Sequence, residues 1–226
     1  MCGRFAQYES RQEYFDALGL TPDDVLFDPA PLGRYNVAPG TSVLVFSHHD
    51  DHFHFNPIHW GYKPEWWDKP PLINARSETA ATGRMFKPLW AKGRIVVPAE
   101  GWYEWKRNGV AKQPYFIHHR LGKPLFFAAL GHPPFDRDDA AHGLVIVTAA
   151  SDKGLVDIHD RMPLVLEPEA AREWLHSDTT LARANALAKN SALPLSDFAW
   201  HPVSNYVGSV RNQGASLIER IDNPLL

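Results

Sequence analysis

Between residues 94 and 150 the chain carries five short runs of β-branched and aromatic residues separated by Gly, Asn or Pro: RIVVPA (94–99), GWYEWK (101–106), PYFIHH (114–119), PLFFAAL (124–130) and GLVIVTAA (143–150). Such runs suit a pleated, buried surface, so most of them are predicted to be strands. TSVLVFS (41–47) and HFHFNPIHWG (52–61), joined by the polar stretch HHDD, read as a hairpin. Residues 9–19 read as a short amphipathic helix, with Tyr14, Phe15 and Leu18 as its apolar side, Ser10 as cap and Gly19 as stop. Further helices are expected at 78–81, at 84–90 with an interruption at Pro88, at 168–176 behind a leading proline, and at 180–189. A loop is expected from Gly19 through Asn36 to Pro39. The predicted fold is α+β, a mainly antiparallel sheet or barrel-like core with peripheral helices.

The 226 residues fit one domain, expected to span 1–226 without internal repeat or low-complexity linker. A chain this long buries roughly 70% of its extended surface, so the fold needs no disulfide or metal staple. It has a single cysteine, Cys2, which excludes an internal disulfide and a Cys-rich zinc site. MCGRFAQYES lacks the apolar core of a signal peptide, and nowhere do 18 apolar residues run together. A cytoplasmic protein without a membrane partner is the expectation. The glycines form neither GxGxxG nor GxxxxGK followed by Ser or Thr, and no cofactor is expected.

The formal net charge of -3 argues against a general affinity for nucleic acid. Charge is unevenly placed, however: Arg76, Arg84, Lys87, Lys92 and Arg94 face only Glu78 in their stretch, which permits a basic face.

Cys2 follows the initiator methionine. If Met1 is removed, Cys2 acquires a free α-amine beside its thiol, a 1,2-aminothiol. The amine condenses with an aldehyde to an imine, and the thiol closes a five-membered thiazolidine on the same carbon. An internal cysteine cannot do this, because its nitrogen is an amide. A lone cysteine reads equally well as a buried core thiol.

The segments MCGR, GRYNVAPG (33–40), WGYKPEWW (60–67), PLINARSETA (71–80), RMFKPLW (84–90), PAEGWYEW (98–105), VTAASD (147–152) and IHDRMPLVL (158–166) resemble, in order and across nearly the whole chain, the SRAP family of abasic-site processing proteins. The resemblance implies Cys2 as nucleophile, with Asn36, Glu104 and His159 as its catalytic companions. An abasic deoxyribose is mostly a closed hemiacetal, so a proton must reach its ring oxygen before an aldehyde exists. A carboxyl group in an apolar setting suits that task, because desolvation raises its pKa. Strand alternation puts Trp102 and Glu104 on one face and Tyr103 and Trp105 on the other. His159 titrates near neutrality and can pass a proton, and Asn36 can accept from the α-amine. Alone, Glu104 reads as a solvated strand residue, His159 as a structural histidine and Asn36 as a turn residue.

The resemblance also implies a partner, single-stranded DNA containing abasic sites, including junctions with duplex. Arg76 and Arg84, with Arg4, suit phosphate, and Asn74, Thr148 and Ser151 suit backbone hydrogen bonds. Trp66 and Trp67 suit stacking on exposed bases, and Met85 and Phe86 suit a wedge beside a duplex end. A monomer is expected, acting in DNA-damage repair and associated with the nucleoid when engaged.

Three alternatives compete. Cys2, His159 and Asn36 are the side-chain types of a thiol-peptidase triad, with the Met1–Cys2 bond as one target. The exposed arginines and tryptophans alone would make a non-covalent reader of DNA. His48, His49, His52 and His54 around Asp50 and Asp51 have metal-binding chemistry, but they fall where a solvated turn is expected, and no metal is assigned.

Overall fold

The computed structural model describes residues 2–109, 111–132, 143–151, 154–222 and 224. In chain order its elements are β1 (Phe5–Gln7), α1 (Arg11–Leu18), β2 (Val25–Phe27), β3 (Arg34–Val37), β4 (Ser42–His49), β5 (His52–His59), β6 (Asn74–Arg76), α2 (Ser77–Ala80), α3 (Lys87–Lys92), β7 (Arg94–Ala99), β8 (Gly101–Asn108), β9 (Ala111–His119), β10 (Leu125–Gly131), β11 (Leu144–Ala150), β12 (Arg161–Pro163), β13 (Val165–Leu166), α4 (Pro168–Leu175), α5 (Leu181–Asn190) and β14 (Phe198–Pro202).

The strands form two sheets. The smaller runs β14-β9-β8-β1-β3, every pair antiparallel. The larger runs β12-β11-β10-β7-β4-β5-β2, with β13 on β10 and β6 on β11. Among the named strands, only β2 on β5 and β6 on β11 pair in parallel. The expected α+β fold with a mainly antiparallel core is what the chain adopts.

The central strands of the larger sheet are apolar on both faces, which explains why they read as continuous hydrophobic runs. From β4, β7, β10 and β11, the residues Val43, Val45, Ile95, Val97, Phe127 and Ile146 meet Phe5, Val37, Trp102 and Ile117 of the smaller sheet. Their alternates Leu44, Phe46, Val96, Phe126, Ala128 and Val147 pack outward against α1, α3, α4 and α5. A third cluster, Tyr103, Phe116, Val203, Val207 and Leu217, covers the outer face of the smaller sheet. Helices, larger sheet, smaller sheet and C-terminal turns thus stack in layers.

The predicted helix at 9–19 is α1. Ser10 and Glu13 make a reciprocal capping box, Gly19 ends the helix at φ 67°, and Tyr14, Phe15 and Leu18 are buried. The 41–61 hairpin forms, but its turn is only Asp50–Asp51, both at positive φ, because His48 and His49 continue β4. Pro88 does not interrupt a helix: it sits in the first turn of α3, where its missing N–H costs nothing. Asn36 belongs to β3, not to a loop, because β1 recruits that segment into the smaller sheet.

The chain passes from the larger sheet to the smaller between Ala99 and Gly101. A Cβ at Gly101 would stand 2.4 Å from the Ile117 carbonyl oxygen, so only glycine allows this approach. Glu100, at the crossing, is buried and accepts from Tyr14 Oη at 2.5 Å and from the Tyr8 amide at 2.7 Å. This corner sets the start of β8, and hence where Glu104 lies.

Candidate active site

β1 and β8 pair antiparallel, with Phe5 opposite Trp102, and the Tyr103 amide donates to the Arg4 carbonyl at 2.9 Å. This register brings the residues ahead of Arg4 alongside Glu104. Cys2 is fully buried among the residues packed between the two sheets. From the larger sheet, Asn74 Nδ2 on β6 donates to the Cys2 carbonyl at 3.0 Å. The larger sheet therefore holds the cysteine by its backbone, with its side chain buried in the cluster between the sheets.

Burial holds the Cys2 thiol well above its ordinary range, and the Glu104 carboxylate raises it further. A hydrogen bond from the Arg4 amide opposes this. At neutral pH the group is a thiol, not a thiolate. Glu104 is itself 5% exposed, and burial pushes its carboxyl up to about 7. It lies in a narrow cleft with Trp102, Ile117, Leu155, Ile158, His159 and Met162. The predicted alternation holds: Trp102 points between the sheets and Tyr103 to the outer cluster, with Trp105 packed against the latter.

His159 borders the same cleft. Burial lowers its pKa, which favours the neutral ring. Its Nδ1 is 3.0 Å from the Arg161 amide and 2.9 Å from Asp160 Oδ1. In the neutral ring Nδ1 accepts from the amide and Nε2 carries the proton; on protonation, Asp160 becomes the partner of Nδ1. The imidazole thus has an acceptor ready for an incoming charge.

Asn36 is 1% exposed, and its side chain is a fastening point. Its Oδ1 accepts from Arg4 Nη1 at 2.8 Å, while Nδ2 donates to the carbonyls of Val207, Ser209 and Asn212 at 3.2, 2.9 and 3.0 Å. Gln213 completes the joint by bonding the Asn36 backbone at both N and O. The Asn36 carbonyl expected to meet an α-amine already accepts from Arg4, which leaves one lone pair of its oxygen for a second donor. Arg4 also donates to the Val207 carbonyl at 2.7 Å and lies 5.8 Å over the Trp105 ring. Its Nη1 is therefore tied into the fold, while the side chain as a whole remains half-buried.

The remaining residues expected to meet DNA divide between exposed and buried positions. Arg76 and Arg84 are exposed; Arg84 stacks 5.6 Å over Trp66, itself 59% exposed. Trp67 is half-buried, tied through Nε1 to the Pro70 carbonyl. Met85 and Phe86 are half-buried against the helix-side core, so each offers only part of its side chain outward. Thr148 is 1% exposed and bonded to Arg161 and Ala75, which removes it from the surface expected of it. Ser151 is half-buried and ties back to the 159–160 turn, its hydroxyl donating to the His159 carbonyl and its amide to the Asp160 carbonyl at 3.0 Å. Arg94 leaves the basic face altogether: it is buried and donates to the carbonyls of Trp90, Ala91, Trp174, His176 and Thr179.

Sequence reasoning passed over Arg161. Its guanidinium grips both oxygens of Glu78, at 2.6 and 3.0 Å, and the Thr148 carbonyl at 2.6 Å, linking α2, β11 and the turn that carries His159. Arg161 holds Glu78 below the usual carboxylate range. Its place two residues after His159 was the available signal. Among the described residues no three His, Cys, Asp or Glu side chains converge on a metal position. In the histidine-rich hairpin, His52 and His54 instead turn a ring nitrogen to the carbonyls of Asp50 and His49.

The model of the family described as SOS response associated peptidase (SRAP) matches residues 1–210. The abasic site processing protein YedK of Escherichia coli is 57% identical over 222 residues, covering 98% of this chain and all of its own. YoaM of Bacillus subtilis, also described as an abasic site processing protein, is 29% identical, covering 97% of this chain and 98% of its own. Among solved structures, a phage-related protein from Bordetella bronchiseptica superposes with a TM-score of 0.77 at 40% identity, covering 89% of this chain and 94% of that one. With a family match over almost its whole length and a relative this similar end to end, the chain belongs to the SOS response associated peptidase (SRAP) family.

Proposed function

We propose that this protein senses abasic sites in single-stranded DNA and joins them covalently through Cys2. The observation that carries this reading is the buried Glu104 carboxyl, held up to about 7, within charge range of the single cysteine. Near neutral pH such a carboxyl is part acid and part base. As acid it protonates the ring oxygen of the closed sugar and releases the C1′ aldehyde. Once Met1 has been cleaved, the Cys2 amine adds to that aldehyde and water leaves, giving an imine. The thiol sulfur then bonds to C1′, its proton passes to the nitrogen, and a thiazolidine closes. The overall change is loss of one water.

A thiol that burial keeps protonated suits this order of events, since the amine attacks first. The same property weighs against a peptidase built on a cysteine thiolate–imidazolium pair, because burial and the Glu104 charge both oppose the thiolate. Ring closure consumes the iminium that drives β-elimination, and so shields the strand from cleavage. Glu104, as the group that moves protons both ways, also allows slow reversal. His159 fits proton transfer at the sugar, and Asn36 acts by holding the Arg4 segment next to Cys2.

Exposed Trp66 and Arg84 fit an unpaired base, and exposed Arg76 a phosphate. We extend the same reading to strands that meet a duplex and to a monomer working in the cytoplasm at the nucleoid. The direct test is denaturing electrophoresis after incubation with an abasic single-stranded oligonucleotide. A heat-stable slow band supports crosslinking; full release of the DNA would leave only a non-covalent reader.

A further inference from the structure

A groove of about 840 Å³ opens on the outer face of the smaller sheet, between Gln113 of β9 and the C-terminal segment. Its wall is the 3-10 turn Asn205–Gly208, capped by the Ser204 hydroxyl, which accepts from the Tyr206 amide at 3.3 Å. Gln113, 0% exposed, forms the floor. At the rim the Tyr206 ring is 73% exposed, beside the exposed Asn205, Ser209 and Arg220.

The fold uses the backbone of Tyr206 and not its ring. Its carbonyl accepts from Asn212 Nδ2 at 2.7 Å, while the neighbouring Val207 supplies the side chain that enters the core. An aromatic ring left in solvent beside amide, hydroxyl and guanidinium groups is the combination that stacks an unpaired base with little regard to its identity. Asp222 also lines the groove and offsets Arg220, so stacking outweighs net charge here.

This wall is fastened to the reaction centre. Arg4 holds the Val207 carbonyl, and Asn36 holds those of Val207, Ser209 and Asn212. Cys2 lies in the middle layer, between the sheets. Met85 and Phe86, next to Arg84 and Trp66, pack on the helix side of the larger sheet, whereas Val207 packs on the outer side of the smaller one. A strand whose lesion sits at Cys2 would therefore meet aromatic surface on both sides of it. Asn212, Arg220 and Asp222 also lie beyond residue 210, where the match to the family model stops.

We infer that the Tyr206 groove is a second nucleotide subsite, which stacks an unpaired base of the DNA strand on the flank of the lesion opposite to the Trp66–Arg84 flank. This rests on the proposed function, but non-covalent binding reads it separately. The experiment measures the affinity of the full chain for undamaged single-stranded oligonucleotides, and for abasic ones shortened stepwise from either end. Comparison is made with Tyr206→Ala, Tyr206→Phe and Arg220→Ala, all at exposed positions. Tyr206→Ala is expected to weaken binding about five- to a hundredfold, only while nucleotides on one flank are present. Tyr206→Phe, which keeps the ring, restores affinity. Arg220→Ala lowers the salt slope, and Tyr206→Ala leaves that slope unchanged. Equal affinity of Tyr206→Ala and wild type for every oligonucleotide would overturn the subsite, as would a loss that ignores which flank is cut back. Failure of the wild-type chain to crosslink abasic DNA would instead overturn the proposed function, and leave the undamaged-strand result to stand or fall alone.

Discussion

Arg4 and Asn36 are joined by a 2.8 Å hydrogen bond from Nη1 to Oδ1, so the segment that begins with the single cysteine is tied to β3 and, through Asn36, to the C-terminal turns. Asn36 spends both ends of its side chain on the fold.

Asn36→Ala should therefore cost stability as well as activity. It strands the carbonyls of Ser209 and Asn212 and one Arg4 donor, and destabilises the protein by about 1–3 kcal/mol. Urea unfolding measures this. A variant as stable as wild type but unable to crosslink would assign Asn36 to the chemistry instead.

Arg76→Ala is expected to weaken non-covalent DNA binding without slowing the chemical step at saturating DNA. The side chain is exposed at the end of β6, two residues after Asn74, which holds Cys2. Removing one phosphate contact from a single strand should lower the salt slope by about 0.7. Titrations across a salt series check it, and an unchanged slope would deny the contact.

How far these roles were legible in the sequence follows from what each depends on. The two faces of β8 follow from period-two alternation alone, so Glu104 and Trp102 could be placed together before any contact was known. The cap of α1 was equally local. Asn36 was not, because GRYNVAPG has the composition of a turn, and only pairing with β1 makes it a strand. Thr148 and Arg94 looked like surface polar groups. Their burial follows from partners distant in sequence, Arg161 for one and the carbonyls around α3 and α4 for the other. Local residue type cannot reveal which hydroxyl or guanidinium the fold will claim.

Glu104→Gln should slow crosslinking to abasic DNA by about 10²–10⁴-fold. A small open-chain aldehyde needs no ring opening, so the variant should lose less on it. Above pH 7 the wild-type rate on abasic DNA, divided by the rate on that aldehyde, should fall as the carboxyl gives up its proton. Rapid-quench rates on both substrates test this. Equal slowing on both would move Glu104 to imine or thiazolidine formation.

The same carboxyl makes folding pH-dependent. Its pKa rises from an ordinary 4.5 to about 7 on burial, so the folded state keeps a proton that the unfolded state releases. Its contribution to stability is complete below pH 4.5 and is lost as pH rises through 7, by about 3 kcal/mol. Glu104→Gln carries no such proton, so its stability should decline less over that interval. Urea midpoints at pH 5 and pH 8 for both proteins read the difference, and parallel declines would contradict a buried acid.

The central claim is that Cys2, freed of Met1, forms the only covalent bond to the DNA. The most direct measurement is the intact mass of the product formed with an abasic oligonucleotide by wild type and by Cys2→Ala. The expected wild-type mass is that of the protein lacking Met1 plus the oligonucleotide minus one water, with no adduct from Cys2→Ala. An adduct that retains Met1, or the same adduct yield from Cys2→Ala, would contradict it.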